Sequence, residues 1–192
     1  TRIPAKVMNV EDQQILFGAG TGANLQGLMT AGGGAQFDVS SGASFYQFFG
    51  ADASAYTNEF DVLIAAKNQA QLAEYSPTAI MVNPTDYNKM FLHKDANANY
   101  VVFVNGVLTV LGVPIFPSTA VTADKFIVGD FGLGATLAIR EDMEISFSES
   151  HSDNFVKDLV IVKATERIGL PIHNPNAFVW GAFSTAIASM NA

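Results

Sequence analysis

A glycine-rich stretch near the start of the chain has the residue types and spacing of a nucleotide-binding turn. Gly18-Ala-Gly-Thr-Gly-Ala23 fits the pattern GxGxxA, and Asp38 follows it at the distance of a ribose-binding acid. In a dinucleotide site the glycines follow a strand and open a helix, whose N-terminus meets the pyrophosphate. Here the preceding segment has a helical pattern, and glycines at 27 and 32–34 would interrupt a following helix. The context therefore favours a tight helix exit over a nucleotide site.

The remaining residues that could do chemistry form no constellation. His93, His151 and His173 have no HxxxH or HxxE spacing, which argues against a metal site. The absence of cysteine excludes disulfides, thiol catalysis and thiolate zinc sites, and it fits a reducing compartment. Neither a GxSxG elbow nor a Walker lysine loop occurs, and the adjacent acids Glu141-Asp142 are typical of a solvated turn. We therefore expect no catalytic residue, no cofactor-binding residue and no metal ligand.

The composition combines a large apolar content with a surface poor in charge. Of the 192 residues, 49% are hydrophobic and only 15% are charged, against about 25% charged residues in an average soluble domain. Such a surface favours partial coverage by neighbouring molecules, and a large core with uncharged polar loops is the competing explanation. The 15 phenylalanines fit either explanation, since aromatic residues are favoured in interfaces and in cores. The length fits one domain, or two small lobes that share a core.

The charge distribution argues against nucleic-acid and membrane partners. The net charge is −8, and the lysines and arginines are scattered, so no basic stripe exists to displace counterions. The uncharged run 96–123 contains Asn105-Gly106 between two β-branched segments, which predicts a hairpin and not a membrane helix. The chain begins at Thr1 without a signal peptide, and we expect it to be a processed or trimmed piece of a longer protein.

Hydrophobic periodicity predicts an α+β fold. Helices and strands mix in the first part of the chain and strands dominate the second, without the regular alternation of a βαβ protein. Residues 18–42 are predicted to form a loop. The predicted helices cover 4–17, with Pro4 in the first turn, 57–73, with Thr57 as N-cap, and a segment opened by Asn83-Pro84 with Asp86 in its first turn. The predicted strands cover 78–82, 125–128, 136–139, 144–147, 155–172 and 177–180.

The longest strand pattern, Phe155 to Ile172, has one steadily apolar face and one mixed face. Apolar residues dominate the even positions, and the odd positions carry Lys157, Lys163 and Arg167. Because successive side chains of a strand point to opposite faces, the pattern predicts one core-facing set and one outward-facing set. The residues predicted to face the core are Val160, Val162 and Ala164.

Five segments of the chain carry a resemblance to a known family. They are ILFGAGTGANLQGL (15–28), PTAIMVNPTDYNKMFLHKDANANY (77–100), VLGVPIF (110–116), IVGDF (127–131) and SDNFVKDLVIVKATERIGLPIHNPNAFV (152–179). In this order they resemble the major capsid proteins of tailed bacteriophages, which have the Hong Kong 97-type fold. The match spans most of the chain and is poor only across 32–53.

The resemblance implies a fold in two lobes and a structural function. The peripheral lobe would hold the end of the spine helix, 1–22, and the long strands, 141–174. The axial lobe would hold 23–140 and the C-terminal segment 175–192. The family's N-terminal arm, extended loop and most of the spine helix would lie upstream of this chain.

A chain of this kind would be the head protein of a phage or prophage. It would self-assemble in the bacterial cytoplasm into the icosahedral shell of a virion that encloses DNA. Its partners would be other copies in hexamers and pentamers, with a scaffold, a maturation protease or a portal as further candidates. Lys157, Lys163 and Arg167 would contact a neighbouring subunit, and no cofactor is implied.

The family also defines one covalent possibility and several alternatives. Some members cross-link subunits through a lysine of the extended loop and an asparagine of the long strand, aided by a glutamate. Asp158 and Thr165 occupy the positions that match this asparagine and glutamate. A carboxylate cannot replace the carboxamide that loses ammonia, so we expect no autocatalytic cross-link. Encapsulin nanocompartments, which hold enzymes instead of a genome, are the close alternative; an α+β enzyme or an interaction module is more distant.

Overall fold

A computed structural model describes residues 2–38, 58–93, 108–149, 156–158 and 160–190 of the chain. The fold is α+β, as predicted. The described helices are α1 (Arg2–Phe17), α2 (Glu59–Leu72), α3 (Pro84–Phe91) and α4 (Phe183–Met190). The described strands are β1 (Ala35–Gln36), β2 (Ala79–Val82), β3 (Thr109–Val110), β4 (Val113–Pro117), β5 (Lys125–Gly129), β6 (Ala138–Ser148), β7 (Ile161–Gly169) and β8 (Phe178–Ala182), the last preceded by a 3₁₀ turn at Pro175–Ala177.

The described strands form two separate sheets. A mixed six-stranded sheet has the order β1-β8-β5-β2-β4-β3, with β1 parallel to β8, β2 parallel to β4, and the other pairs antiparallel. The second sheet is the antiparallel pair of β6 and β7. The predicted strands 136–139 and 144–147 are therefore parts of one strand, β6. Its ladder shifts register between Ile139 and Glu141 and again between Glu141 and Glu144.

The mixed sheet carries the buried core because both of its faces are covered. Ile80 and Val128 are paired residues on one face, and both are fully buried beneath α2, α3 and α4. Met81 and Ile127 form the next pair and point to the opposite face, where Leu16 from the end of α1 packs. This alternation between two clusters is the period-two geometry of a strand.

Short-range capping signals set where two of the helices begin. Asn58 caps α2: its Oδ1 accepts from the Phe60 amide at 3.0 Å, and Asp61 Oδ2 accepts from the Asn58 amide at 3.0 Å. This capping box corrects the predicted cap, Thr57, which lies outside the described residues. Asn83 caps α3 as predicted: its Oδ1 accepts from the Thr85 amide at 2.9 Å, before a proline at the first helical position.

The glycine-rich stretch is a helix exit, as its context predicts. The Gly18 amide donates to Gln14 O at 2.9 Å and closes α1, and Gly20 and Gly22 have φ of 67° and 65°. The Gly27 amide then returns to Gly18 O at 2.9 Å. Between 18 and 38 no helix opens, so the geometry that a dinucleotide site requires is not met. The predicted loop nevertheless contains a short strand, β1, at the edge of the mixed sheet.

Near the end of the chain, one strand prediction is wrong and one helix was not predicted. The strand predicted over 155–172 is limited to Ile161–Gly169, and residues 156–158 form a turn. Asp158 in that turn has φ of 54°, a left-handed conformation that cannot continue a strand. Phe155 and Leu159 lie outside the described residues. The helix α4 has no counterpart among the predicted elements, which end at residue 180.

The hairpin predicted around Asn105-Gly106 also lies outside the described residues. A tight hairpin follows it directly, because β3 and β4 are joined by Leu111 and Gly112. Both residues have positive φ, 47° and 83°, as the turn of a two-residue hairpin requires.

Candidate intersubunit surface

The candidate site is the face of the β6–β7 sheet along which α1 lies. An open cavity of about 810 Å³ separates the helix from β7. Its walls are Val7, Val10, Glu11 and Gln14 of α1, Ala23 and Leu25 after the helix, and residues 138–140 and 166–169 of the two strands. We call this cavity the groove. Ile3 and Val7 also line a smaller cavity beside Ala164, so the start of α1 lies near the middle of β7.

The period-two split predicted for β7 is present from residue 163 onward. The even positions Ala164, Glu166 and Ile168 are half-buried beneath α1, and the odd positions 163, 165 and 167 are exposed. Lys163 therefore points away from the groove side, whereas Arg167, although exposed, also lines the groove. Lys157 is exposed as well, in the turn before the strand.

The prediction that Val160 and Val162 face a core is wrong. Their exposed fractions are 54% and 41%, and Phe147, the partner of Val162 across the sheet, is 68% exposed. The register is as predicted, but α1 lines β7 only as far as Ala164, and no third strand of the described residues pairs with β6 or β7. We call Phe147, Val160 and Val162 the hairpin patch. An apolar surface of this kind is typical of a contact between proteins.

The groove brings the acidic side chains of Glu11 and Glu166 to one cavity and contains an unused acceptor. Burial, followed by repulsion from Glu166 and then Asp12, raises the pKa of the Glu11 carboxyl above its ordinary value. The Oε1 atom of Gln14 is buried and accepts no hydrogen bond. Arg167 also lines the groove, but its Nε pairs with Glu141 Oε2 at 3.2 Å, and both of these side chains are well exposed.

The other residues considered in the sequence remain apart. His93 Nε2 lies 2.6 Å from Glu59 Oε2, and His173 Nε2 lies 2.9 Å from Thr136 Oγ1; His151 falls outside the described residues. Within the described ranges, no group of three or more histidine, aspartate or glutamate side chains could hold a metal ion. In the same ranges no helix is both long and apolar enough to cross a bilayer.

The two positions that match the family's cross-linking residues also lie apart along the sheet. Asp158 is exposed in the turn before β7. Thr165 is exposed on the odd face of β7 opposite Glu144.

Sequence reasoning missed a polar network that joins three elements of the mixed-sheet region. Asp86, which the sequence marks only as an acid in the first turn of a helix, is buried and accepts from the Asp124 amide at 2.7 Å. Lys89 Nζ lies 3.0 Å from the same carboxylate, and this hydrogen bond raises the pKa of Lys89. Asp124 in turn accepts from the amide and the hydroxyl of Ser184 at the start of α4. The network fixes the helix that the sequence did not predict.

Comparisons with known proteins identify the family to which the chain belongs. Residues 1–183 match the phage capsid family. Over 180 residues the chain is 31% identical to the major capsid protein of Enterobacteria phage HK97. The aligned region covers 91% of this chain and 43% of that protein. The chain thus spans less than half the length of this relative.

Solved structures show the same fold. The capsid of an empty GTA particle matches with a TM-score of 0.64 and 18% identity, over 95% of this chain and 64% of that one. An encapsulin from Synechococcus elongatus matches with a TM-score of 0.50 and 12% identity, over 95% of this chain and 63% of that one. The fold is the Hong Kong 97-type capsid fold predicted from the ordered segments, and the chain belongs to the phage capsid family.

Proposed function

We propose that this chain is part of the major capsid protein of a phage or prophage, a structural subunit that self-assembles into an icosahedral shell enclosing DNA. The observation that carries the proposal is the family match over residues 1–183, together with 31% identity to a phage major capsid protein. The role is structural and not enzymatic, as the family of capsid proteins implies. The shell would form in the cytoplasm of the bacterial host. Scaffold, maturation protease and portal are candidate partners of the whole protein.

The two sheets support a division into an axial and a peripheral lobe. The mixed sheet with α2, α3 and α4 would be the axial lobe, comprising 23–140 and 175–192. The peripheral lobe would combine α1, within 1–22, with the long strands, within 141–174. Two observations favour this division. The strands β6 and β7 pair only with each other among the described strands, and this hairpin is mostly exposed, whereas the two hydrophobic clusters are buried.

The outward-facing basic residues would contact a neighbouring subunit. Lys157, Lys163 and Arg167 are all exposed on or before β7. The ion pair between Arg167 and Glu141 is solvent-accessible, so it contributes only about 0–1 kcal/mol to the isolated chain. A side chain that matters little to folding is available for recognition between subunits.

An encapsulin shell is the second candidate, favoured by the match to the encapsulin structure. Particles should be purified from the cells that make the full-length protein, treated with nuclease, and imaged by electron microscopy. We expect closed shells that contain this chain and protect double-stranded DNA. Shells that hold a cargo protein and no DNA would support the encapsulin function instead. Failure to find this chain in any closed particle would refute both.

A further inference from the structure

A second cavity, separate from the groove, lies where the end of α1 meets both sheets. It is lined by Leu16 of α1, Leu28 after the helix, Met81 of β2 and Leu170 after β7, and by residues of the connection from β5 to β6. Its volume is about 210 Å³, and we call it the junction cavity.

Contacts outside the junction cavity hold its walls in place. The Leu28 amide donates to Ile15 O at 2.9 Å, which fixes the returning chain against α1. The Phe131 amide donates to Thr78 Oγ1 at 3.2 Å, and the Phe131 ring packs edge-on against the buried ring of Phe178, with centroids 5.3 Å apart. The cavity is therefore preformed, as ligand sites in proteins usually are.

The lining favours an apolar and aromatic occupant over water. All of the lining side chains except Asp12 are apolar, and a buried water needs two to four polar partners. An apolar cavity of about 150 Å³ holds benzene, so the junction cavity has room for about eight apolar atoms. Met81 adds a thioether, which adapts in shape and makes favourable contacts with aromatic rings, and Phe131 adds the edge or face of a ring.

Asp12 gives the mouth of the cavity a negative charge. It precedes Leu16 by four residues and therefore lies on the same face of α1, and its side chain is exposed. Glu11 lies close enough that repulsion from Asp12 contributes to its raised pKa. Among the described residues that line the junction cavity, none is basic. The mouth therefore favours a cationic hydrogen-bond donor.

We propose that the junction cavity binds a small aromatic ammonium compound, with its ring among Leu28, Met81 and Phe131 and its ammonium at the Asp12 carboxylate. The ligand contacts α1, the mixed sheet and the connections to the β6–β7 sheet, so it stabilises their arrangement by mass action. This site belongs to a single subunit, and the inference does not rest on the proposed function.

Nuclear magnetic resonance of the methionine methyl groups locates the ligand. The full-length protein is labelled with [methyl-¹³C]methionine and titrated with 2-phenylethylammonium chloride, and Met81→Leu assigns the Met81 signal. The ring current of a bound phenyl group should shift the Met81 methyl, with a dissociation constant of about 0.1–1 mM. The methyl of Met8, which is 57% exposed on α1 and does not line the cavity, is the internal reference and should not move.

Two further probes of nearly the same size test the charge at the mouth. Neutral 2-phenylethanol should bind about fivefold more weakly than the ammonium, because an exposed ion pair contributes at most about that factor. Phenylacetate, whose carboxylate would face Asp12, should bind more weakly still.

Substitutions separate the two halves of the site. Asp12→Asn should reduce the affinity for the ammonium to that for 2-phenylethanol. Asp142→Asn is the matched control, since it removes an exposed acid of β6 that does not line the cavity, and it should change neither affinity by more than about twofold. Ala135→Leu adds bulk to the lining and should weaken both ligands. Asp12 is exposed, so the Asp12 variant keeps the test valid if Ala135→Leu fails to fold.

Three outcomes would overturn the proposal. The first is an unshifted Met81 methyl at saturating ammonium, and the second is a shift of Met8 as large as that of Met81. The third is an equal effect of Asp12→Asn and Asp142→Asn on the affinity for the ammonium. Each would refute the ligand site and leave the proposed shell function standing, because that function is judged from closed particles and their DNA.

Discussion

Replacing Val162 with aspartate should leave the chain folded but weaken the association of its hairpin with other subunits. Val162 is 41% exposed, so roughly three-fifths of its side chain is covered in the isolated chain. Full burial of a valine contributes about 1.5 kcal/mol at the lower end of its range, so the covered part contributes about 1 kcal/mol. The new carboxylate keeps contact with water, which avoids the cost of burying a charge. We expect the melting temperature to fall by only about 2–4 °C.

The matched control is Val128→Asp in the mixed sheet. Val128 is fully buried in β5, between β2 and β8. Burying an unpaired carboxylate there costs several kcal/mol, a large share of the about 5–15 kcal/mol that stabilises a typical domain. We therefore expect Val128→Asp to prevent folding. Far-ultraviolet circular dichroism of both variants during heating measures the contrast.

The same pair of variants tests the hairpin patch in assembly. In the full-length protein, Val162→Asp should lower the yield of closed particles in sedimentation, because a neighbour that covers the patch would bury the carboxylate. Unfolding of the Val162 variant comparable to that of the Val128 variant would show that the patch belongs to a core. Unchanged particle yield would show that no neighbour covers it.

Substitutions at three further residues test the polar groups. Asp86→Ala should lower the free energy of unfolding in urea by about 2–4 kcal/mol. It leaves the Asp124 amide without an acceptor and removes an acid from the start of α3. Asp86→Asn should lower it by less. The raised pKa of Lys89 means that its stabilising contribution is present at neutral pH and is lost as the pH rises through the pKa of the folded state. Lys89→Met should therefore flatten the loss of stability in strongly alkaline solution. Arg167→Ala should change the unfolding free energy by less than about 0.5 kcal/mol, since its pair with Glu141 is exposed, and a larger loss would mean that the pair supports the hairpin.

The strand β7 illustrates what alternation in a sequence can and cannot predict. Alternation predicts which side chains share a face, because strand geometry places successive residues on opposite faces. It does not predict whether another element covers that face. Ala164 is half-buried and Val162 is not, because α1 extends along the strand only as far as Ala164. The prediction was therefore correct in register and wrong in burial.

The range of the interactions explains the remaining successes and failures. The start of α3 was predictable because Asn83, Pro84 and the Thr85 amide lie within three consecutive residues. Asp86 lies 38 residues before the Asp124 amide that it binds, and no local pattern reveals such a contact. The groove likewise brings Glu11 close to a strand from the other end of the chain, and no local sequence pattern reveals this approach. Ordered family segments supplied the fold, but these long-range polar contacts required coordinates.

The two sheets differ in the amount of apolar surface that they bury within the chain, and this difference is relevant to the proposed shell. The mixed sheet buries side chains on both faces, so it has its own core. A two-stranded sheet is marginal alone. Of the elements that the structure describes, only α1 lies over β6–β7, and it covers part of one face. Under the proposed function, a neighbouring copy that binds the hairpin patch would stabilise this sheet by mass action, because it would bind the ordered hairpin and not the disordered one. The apolar residues exposed at the far end of the hairpin are the surface that such a neighbour would cover.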